Sequence, residues 1–149
     1  MIALIQRVSR AQVSVDNRQV ARIGQGILAL LGVEASDTPE IGTQLLGRVL
    51  NYRIFADEAG RMNLNLGQIG GELLLVPQFT LVADTHKGTR PGFSRGAPPE
   101  AARKLFEQTL AAARRLHPRV EAGVFGADMQ VELVNDGPVT FLLSSSQEP

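Results

Sequence analysis

The sequence contains no cysteine, and it has only two histidines, His86 and His117. The absence of cysteine excludes disulfides, thiolate nucleophiles and thiolate metal sites. Two histidines that lie far apart in the sequence also argue against a zinc site, because zinc is held by several clustered side-chain ligands. We therefore expect a protein that works without a metal ion or another cofactor.

The sequence shows no targeting or membrane-spanning segment. Its opening stretch, MIALIQRVSRAQVSVD, has no basic leader followed by an apolar core and a small-residue cleavage site. No run of about 18 apolar residues occurs either. We expect a cytoplasmic protein. Because the 149 residues are 44% hydrophobic and 20% charged, we expect positions 1–149 to form a single globular domain.

The common sequence signatures of catalysis are missing as well. There is no P-loop, no dinucleotide-binding fingerprint and no metal-ligand spacing. A serine or threonine nucleophile needs a neighbouring base, and only the two histidines qualify. We expect His117 to cap a helix or to lie at the surface, and His86 to contact solvent or phosphate. An enzyme with this sequence must therefore rely largely on backbone groups.

The formal net charge is zero, but the charges are unevenly distributed. Between Thr85 and Arg119 there are eight basic and two acidic residues, which leaves seven basic and thirteen acidic residues for the rest of the chain. Thirteen of the fifteen basic residues are arginine, whose planar guanidinium suits phosphate groups. The stretch is consistent either with a solvated helix face beside a polar loop or with a surface that binds a phosphate backbone.

The hydrophobic pattern predicts an α+β fold. Short apolar runs separated by turn signals predict about seven strands, among them MIALIQRV, AQVSVD, ILALLGV and MQVELVNDGPVTFLL. We expect these strands to form a strongly curved, antiparallel-rich, barrel-like sheet with two helices on its outside. The stretch THKGTRPGFSRGAPP is expected to be a long loop.

Helical spacing of apolar residues predicts the two helices. The first runs from Pro39 to about Arg53, and the second runs from Glu100 to Leu116. Prolines lie at the starting end of each, where helices tolerate them. The second helix is expected to bury one face, which consists of Ala102, Leu105, Phe106, Thr109, Ala113 and Leu116.

The stretch LVNDGPVTF at 133–141 interrupts a predicted strand with Gly137 and Pro138. Proline cannot donate a hydrogen bond to a sheet, and both residues weaken the interior of a strand. A purely structural design would avoid the pair here. The two residues are therefore candidates for function.

Three longer motifs resemble the bacterial D-aminoacyl-tRNA deacylase family. They are PQFTL at 77–81, ADTHKGTRPGFSRGA at 83–97 and MQVELVNDGPVTF at 129–141. The likeness extends to the opening MIALIQRV, to GVE at 32–34 and to RVLNYRIFADEAGRMNLN at 48–65. The resemblance implies a hydrolase that acts on the ester bond between a D-amino acid and the terminal adenosine of tRNA, in the proofreading of translation.

The resemblance also implies a role for the interrupted strand. In this family the Gly-Pro peptide bond is cis, and the pair enters the active site of the partner subunit as a chiral filter. If Gly137 and Pro138 have the same role here, the resemblance implies a homodimer with its active sites at the subunit interface. The cis bond turns its two adjacent carbonyl groups toward the same side. They can accept hydrogen bonds from the substrate's α-ammonium group, and they leave no room for an L side chain. Glycyl-tRNA is expected to pass, because glycine has no side chain to exclude.

The family's catalytic residues map onto Gln78, Phe79 and Thr80. Their backbone N–H groups are candidates for an oxyanion hole, although Phe79 is also consistent with a core position. Thr80 is either a covalent nucleophile or a residue that positions the substrate. Because no base lies nearby in the sequence, we favour positioning, with the substrate's own 2′-hydroxyl helping to activate water.

Further site residues follow from the resemblance. Arg7 either braces the Gly-Pro segment or is an ordinary strand arginine, and Met129 and Phe125 either line the pocket or belong to an apolar strand face. For the nucleic acid we expect contacts from a set of three loop residues, so that affinity falls with added salt. These residues are Lys87, Arg90 and Arg95.

Pro77 departs from the family pattern, which usually has serine at this position. Proline supplies neither a backbone donor nor a hydroxyl, so neither group can take part in catalysis here. A related tRNA deacylase clade with altered chiral selectivity carries proline there, which leaves relaxed chirality as an alternative. A non-catalytic RNA-binding module on the same fold is a second alternative, although it leaves the two motifs without a purpose.

Overall fold

The computed structural model describes residues 1–146. In these residues it contains eight β-strands, two α-helices and one short 3₁₀ helix, in agreement with the predicted α+β class. Along the chain the elements are β1 (Ile2–Val15), β2 (Arg18–Ile23), β3 (Gly26–Gly32), α1 (Pro39–Asn51), β4 (Phe55–Ala56), β5 (Met62–Leu64), β6 (Glu72–Pro77), the 3₁₀ helix (Phe79–Val82), α2 (Pro99–Leu116), β7 (Val120–Ala122) and β8 (Gln130–Ser144).

The long strand β1 organises the main sheet. Along one edge its first half pairs with β3 and its second half with β2, while β8 pairs with the whole of the other edge, all antiparallel. The sheet continues from β3 to β6 and β7 through parallel pairs. Because β2 also approaches β6 and β7, the sheet curls into the barrel-like form that the sequence predicted. MIALIQRV and AQVSVD, predicted as two strands, form this single strand.

The turn between β1 and β2 has a local cause. Asp16 and Asn17 have φ values of 50° and 62°, the left-handed conformation that a tight two-residue hairpin requires. Asparagine and aspartate tolerate this conformation better than other non-glycine residues. These two residues therefore allow the chain to turn directly from β1 into β2.

Apolar side chains fill both faces of the sheet. Along β3, Ile27 and Leu31 belong to the larger cluster, which lies between the sheet and the helices, whereas Leu28 belongs to a smaller cluster on the other face. This alternation is expected when successive side chains of a strand point to opposite faces. The smaller cluster is completed by Val8, Ala11, Val13, Ala21, Ile23, Leu74 and Val76.

Both helices begin close to the predicted positions. Thr38 caps α1, because its hydroxyl accepts a hydrogen bond of 3.3 Å from the N–H of Ile41. The helix ends at Asn51, slightly earlier than predicted. Helix α2 begins at Pro99, one residue before the predicted start.

The predictions for the end of α2 were partly wrong. Leu116, expected in the core, is 57% exposed, whereas His117, expected to cap the helix or to lie at the surface, is buried. The helix ends at Leu116, and the backbone turns extended at His117, which directs the imidazole inward. There its Nε2 lies 2.8 Å from the carbonyl oxygen of Gly71. His117 does occupy the C-cap position, but as a buried side chain.

Within the described part of the chain, no helix is both long enough and apolar enough to span a membrane.

Candidate active site

The Gly-Pro pair forms a bulge in β8. Gln6 pairs with Thr140 and Val8 pairs with Asn135, so that the single residue Arg7 of β1 faces four residues of β8. We call these four residues, 136–139, the Gly-Pro bulge. The strand resumes its pairing on both sides, which explains how the sequence accommodates proline without ending the strand.

Arg7 holds the bulge from β1. Its Nε donates a hydrogen bond of 2.9 Å to the carbonyl oxygen of Asp136, and its Nη1 donates one of 2.8 Å to the carbonyl oxygen of Ile54. The same Nε lies 3.8 Å from the Asp136 carboxylate. The guanidinium therefore joins the bulge to the segment that follows α1.

Two polar side chains close the bulge from within β8. Asn135 Oδ1 accepts a hydrogen bond of 3.0 Å from the N–H of Val139, and Asn135 Nδ2 donates one of 2.9 Å to Thr140 Oγ1. Gly137 has a φ of +139°, a conformation that side chains rarely adopt, and the Gly137–Pro138 peptide bond is cis, as the resemblance led us to expect. Gly137 and Pro138 themselves are exposed.

A second candidate feature lies where β6 ends. The chain leaves the sheet after Pro77, and Gln78, Phe79 and Thr80 form what we call the β6 corner, which leads into the 3₁₀ helix. The N–H of Gln78 donates a hydrogen bond of 2.7 Å to the carbonyl oxygen of Leu31, which fixes the corner to β3. The Gln78 Nε2 donates a hydrogen bond to the Thr80 hydroxyl.

The backbone of the corner offers free donors. At the start of a helical turn the first N–H groups have no acceptor within the helix. Within residues 1–146, the N–H groups of Phe79 and Thr80 have no acceptor elsewhere in the chain either. Thr80 is exposed, and Phe79 is 64% exposed. Donors that are free and accessible can bind an oxygen that carries negative charge.

The β6 corner borders an open cleft. The cleft consists of two adjoining hollows with volumes of about 390 and 470 Å³. Among the residues that line it in the described part of the chain, only Gln78 and Asp128 have polar side chains. Seven residues line both hollows and so form a shared wall. They are Pro77, Gln78, Phe79, Ala97, Pro99, Ala102 and Phe125.

A loop over residues 83–98, the arginine loop, packs beside the corner. Asp84 and Gly92 exchange backbone hydrogen bonds of 2.7 and 2.9 Å, which fold the loop back on itself. The ring of Phe93 lies 5.3 Å from the ring of Phe79, centroid to centroid. The loop therefore contacts the corner directly, although both rings remain largely exposed.

The base of the loop is anchored by an ionic cluster. Glu34 accepts a hydrogen bond of 2.9 Å from Arg95 Nη2 and one of 2.8 Å from the Met1 ammonium group. Asp37 accepts one of 2.6 Å from the same ammonium. Burial raises the pKa of the Glu34 carboxyl, but the hydrogen bonds and positive charges of the Met1 ammonium and Arg95 outweigh burial and hold the pKa below its ordinary value.

The chain is similar to known proteins over nearly its whole length. A family model described as D-Tyr-tRNA(Tyr) deacylase matches residues 4–144. The chain belongs to this deacylase family. It is 60% identical over 145 residues to a protein of Azotobacter vinelandii named D-aminoacyl-tRNA deacylase, a match that covers 97% of this chain and 100% of that protein.

Two solved structures share the deacylase fold. The structure of c-Myc DNA Unwinding Element Binding Protein has a TM-score of 0.94 and 38% sequence identity, and the match covers 98% of this chain and 99% of that chain. A probable eukaryotic D-amino acid tRNA deacylase has a TM-score of 0.84 at 17% identity, with 95% of this chain and 97% of that chain covered. At that low identity the second likeness shows the fold alone.

The deacylase structure brings some of the predicted site residues together. Gln78, Phe79 and Phe125 line both hollows of the cleft, and Met129 lines the larger one. Thr80 does not line either hollow, but it is joined to Gln78 by the side-chain hydrogen bond. Neither histidine of the chain lines the cleft.

Other predicted residues lie apart from the deacylase cleft. Gly137 and Pro138 do not line either hollow of their own chain, and Arg7 lies with them. Lys87 and Arg90 are exposed on the arginine loop, while Arg95 is engaged by Glu34. The residues that the sequence predicted for one site therefore lie in two separate places within a single chain.

Sequence reasoning missed two groups of residues in this deacylase. Asn135 and Thr140 close the bulge, and the motif NDGPVT already contained both as polar residues beside the Gly-Pro pair. Phe93 and Arg103 contact cleft residues through tertiary packing, because Phe93 meets Phe79 and Arg103 lies over Phe125. No local sequence pattern reports such contacts.

Proposed function

We propose that this protein hydrolyses the ester bond of D-aminoacyl-tRNA in the cytoplasm, and so removes D-amino acids before they enter protein synthesis. The products are free tRNA and the D-amino acid. The observation that carries this proposal is the β6 corner, which has free backbone donors and borders an open cleft in a chain that belongs to the deacylase family. Mischarged glycyl-tRNA is a second substrate.

The reaction needs little from the side chains. The oxygen of a water molecule attacks the carbonyl carbon, the bond from that carbon to the ribose oxygen breaks, and a proton passes to the ribose oxygen. Negative charge develops on the carbonyl oxygen, and we assign the N–H groups of Phe79 and Thr80 as its donors. The ester is already activated by the neighbouring α-ammonium group, so that a modest oxyanion hole is sufficient.

Thr80 acts in positioning and not as a covalent nucleophile. A nucleophilic hydroxyl needs a base that takes its proton, and the partner of the Thr80 hydroxyl is the carboxamide of Gln78, which is not a base. We assign to the Gln78 side chain the role of orienting Thr80. The 2′-hydroxyl of the substrate's terminal ribose assists in activating the water.

The chiral filter comes from a second copy of the chain. The Gly-Pro bulge is exposed and lies outside its own cleft, so that it can act only on a neighbouring molecule. Beside it, β8 exposes several apolar side chains, a surface that suits association. These side chains are Val131, Val134, Phe141 and Leu142. We propose a homodimer in which each bulge enters the partner's cleft and excludes L side chains by shape, with Arg7 as its brace.

The arginine loop contributes the contacts to tRNA. Lys87 and Arg90 are exposed, and Arg95 retains a half-exposed side chain beside Glu34. Guanidinium and ammonium groups on one loop neutralise phosphates and release counterions. The affinity for tRNA is therefore expected to fall as salt is added.

Deacylation of matched D-tyrosyl-tRNA, L-tyrosyl-tRNA and glycyl-tRNA tests this function. We expect the D-tyrosyl and glycyl esters to be hydrolysed and the L-tyrosyl ester to survive. Comparable rates with D- and L-tyrosyl-tRNA would instead indicate a deacylase of relaxed chirality, the alternative suggested by Pro77. Binding of tRNA without hydrolysis of any ester would identify a non-catalytic RNA-binding module and contradict the proposal.

A further inference from the structure

One wall of the cleft is supported from α2. Phe125 lines both hollows, and its ring centroid lies 6.3 Å from that of Phe106. The guanidinium carbon of Arg103 lies over the Phe125 ring, 5.0 Å from its centroid. A Cβ atom built on Gly126 would lie 3.5 Å from Arg103 Nη2. The Arg103 guanidinium therefore packs on Phe125 and lies beside the next residue of the cleft wall.

The charge of Arg103 is only weakly engaged within the protein. Its Nε lies 4.0 Å from Glu100 Oε1, and the Glu100 side chain is 91% exposed. Exposed ion pairs of this kind contribute little to stability. Arg95 differs, because its Nη2 lies 2.9 Å from a mostly buried Glu34 side chain. The Arg103 side chain is 44% exposed, so that its guanidinium is available to an anion at the rim of the cleft.

The cleft itself provides no positive charge. Neither hollow is lined by lysine or arginine in the part of the chain that the structure describes. An aminoacylated nucleotide nevertheless carries a phosphate on the 5′ side of the ribose whose 3′ side bears the ester. When the ester lies at the β6 corner, this phosphate lies on the other side of the ribose, where a cation at the rim of the cleft can bind it.

We propose, on the basis of the function proposed above, that Arg103 binds the 5′-phosphate of the terminal adenosine of the substrate. The planar guanidinium can donate two parallel hydrogen bonds to phosphate oxygens while its face stays over Phe125. Arg103 is then a substrate-binding residue that also holds Phe125 in place. It acts at a single phosphate next to the reacting ester, whereas the arginine loop acts on the tRNA backbone.

Two minimal substrates that differ by one phosphate test this assignment. They are 3′-D-tyrosyl-adenosine and 3′-D-tyrosyl-adenosine 5′-phosphate, and kcat/KM is measured for both with the full-length protein. In Arg103→Met, methionine keeps an unbranched apolar side chain over Phe125 but removes the charge. Arg114→Met is the matched control, because Arg114 lies on the same helix near its other end.

We expect the unmodified protein to favour the phosphorylated substrate by about tenfold, the range of a charge-assisted hydrogen bond. Arg103→Met should remove this preference, and Arg114→Met should retain it. If Arg103→Met lowered kcat/KM equally for both substrates, Arg103 would only support Phe125. If Arg103→Met lowered neither value, or if the unmodified protein showed no preference for the phosphorylated substrate, no phosphate would bind at Arg103. Each of these results overturns the proposal.

Failure of the proposed function is recognised separately. If the unmodified protein does not hydrolyse D-tyrosyl-tRNA, the function proposed for the cleft is wrong, and the role of Arg103 falls with it. If D-tyrosyl-tRNA is hydrolysed but Arg103→Met leaves the phosphate preference intact, only the role of Arg103 is wrong. Circular dichroism of each variant, compared with the unmodified protein, checks that the fold is retained.

Discussion

Arg7 donates a hydrogen bond of 2.9 Å to the carbonyl oxygen of Asp136, the first residue of the Gly-Pro bulge. The same guanidinium donates to the carbonyl oxygen of Ile54, so that one side chain holds the bulge against a segment distant in sequence. Arginine suits this position because its planar group presents several donors in fixed directions. The bulge therefore depends on a residue of the opposite strand for its position.

Replacing Arg7 with lysine should weaken chiral selection more than it weakens folding. Lysine keeps the charge but cannot donate to both carbonyl groups in the same geometry, so that the bulge loses a fixed position. We expect the ratio of deacylation rates for D- and L-tyrosyl-tRNA to fall by about tenfold. Arg10→Lys is the control, because Arg10 makes only an exposed pair with Glu132 at 3.5 Å. A ratio unchanged by Arg7→Lys would contradict the bracing role.

Gly137→Ala should damage the bulge directly. A Cβ at Gly137 would lie 2.6 Å from Val139 Cγ2 and 3.1 Å from Arg7 Nη2, at a φ of +139° that alanine rarely adopts. We expect the free energy of unfolding to fall by about 1–3 kcal/mol and deacylation of D-tyrosyl-tRNA to fall at least tenfold. Gly47→Ala is the control, since a Cβ there meets no atom within 4 Å beyond its chain neighbours and the backbone of its own helix. Urea denaturation and single-turnover assays measure the two effects.

The sequence predicted the elements better than their connections. Pro39 marked the start of α1, because the signals that begin a helix are a local property of the sequence. The continuity of β1 was missed, because Ser9 and Arg10 are exposed and resemble a break between strands. The strand continues through them since its partner changes from β3 to β2 at that point, which is a tertiary arrangement that hydrophobic patterning does not report.

The candidate site could be predicted only where it is continuous in sequence. Gln78, Phe79 and Thr80 are consecutive, and the Gly-Pro pair lies within one motif, so that both were recognised. The separation of the bulge from the cleft of its own chain, and the support of Phe125 by Arg103, arise from packing between distant segments. Such contacts require coordinates.

Thr80→Ala should retain substantial activity. If Thr80 only positions the substrate through its hydrogen bond with Gln78, its loss removes one hydrogen bond and lowers the rate by about tenfold or less. Gln78→Ala should have a similar effect, and the double variant should add little, because both changes remove the same interaction. Single-turnover deacylation of D-tyrosyl-tRNA measures all three. Loss of turnover by more than about a thousandfold in Thr80→Ala would point to a nucleophile instead.

The Glu34 cluster should make stability depend on pH. The folded-state pKa of Glu34 lies below the ordinary value of 4.5, so that its carboxylate stabilises the fold at neutral pH. This contribution begins to decline below the ordinary pKa and is lost as pH falls through the lowered folded-state pKa. We expect Glu34→Gln to be less stable than the unmodified protein at neutral pH, with a difference that shrinks in acid. Urea denaturation at neutral and at acidic pH measures the free energy of unfolding of both proteins.

Glu132→Gln provides the control for this pH dependence. Glu132 pairs with Arg10 at 3.5 Å, but both side chains are more than half exposed, so that solvent screens the interaction. The free energy of unfolding of Glu132→Gln should differ little from that of the unmodified protein across the same pH range. If Glu34→Gln lost the same stability at acidic as at neutral pH, the ionic account of the cluster would be wrong.

If the Gly-Pro bulge of one chain completes the cleft of another, two variants that are impaired at different places should restore activity when they are mixed. Gly137→Ala lacks a native bulge, and a protein with both Gln78→Ala and Thr80→Ala lacks a native β6 corner. In a mixed dimer, one of the two sites receives a native corner from the first chain and a native bulge from the second.

The measurement is deacylation of D-tyrosyl-tRNA after the two variants are mixed in equal amounts and allowed to exchange subunits. With random exchange, about a quarter of all sites should be native, so that activity rises above that of either variant alone toward a quarter of the unmodified level. If exchange is verified and activity stays at the average of the two separate variants, the bulge does not act in the partner's cleft and the account is contradicted.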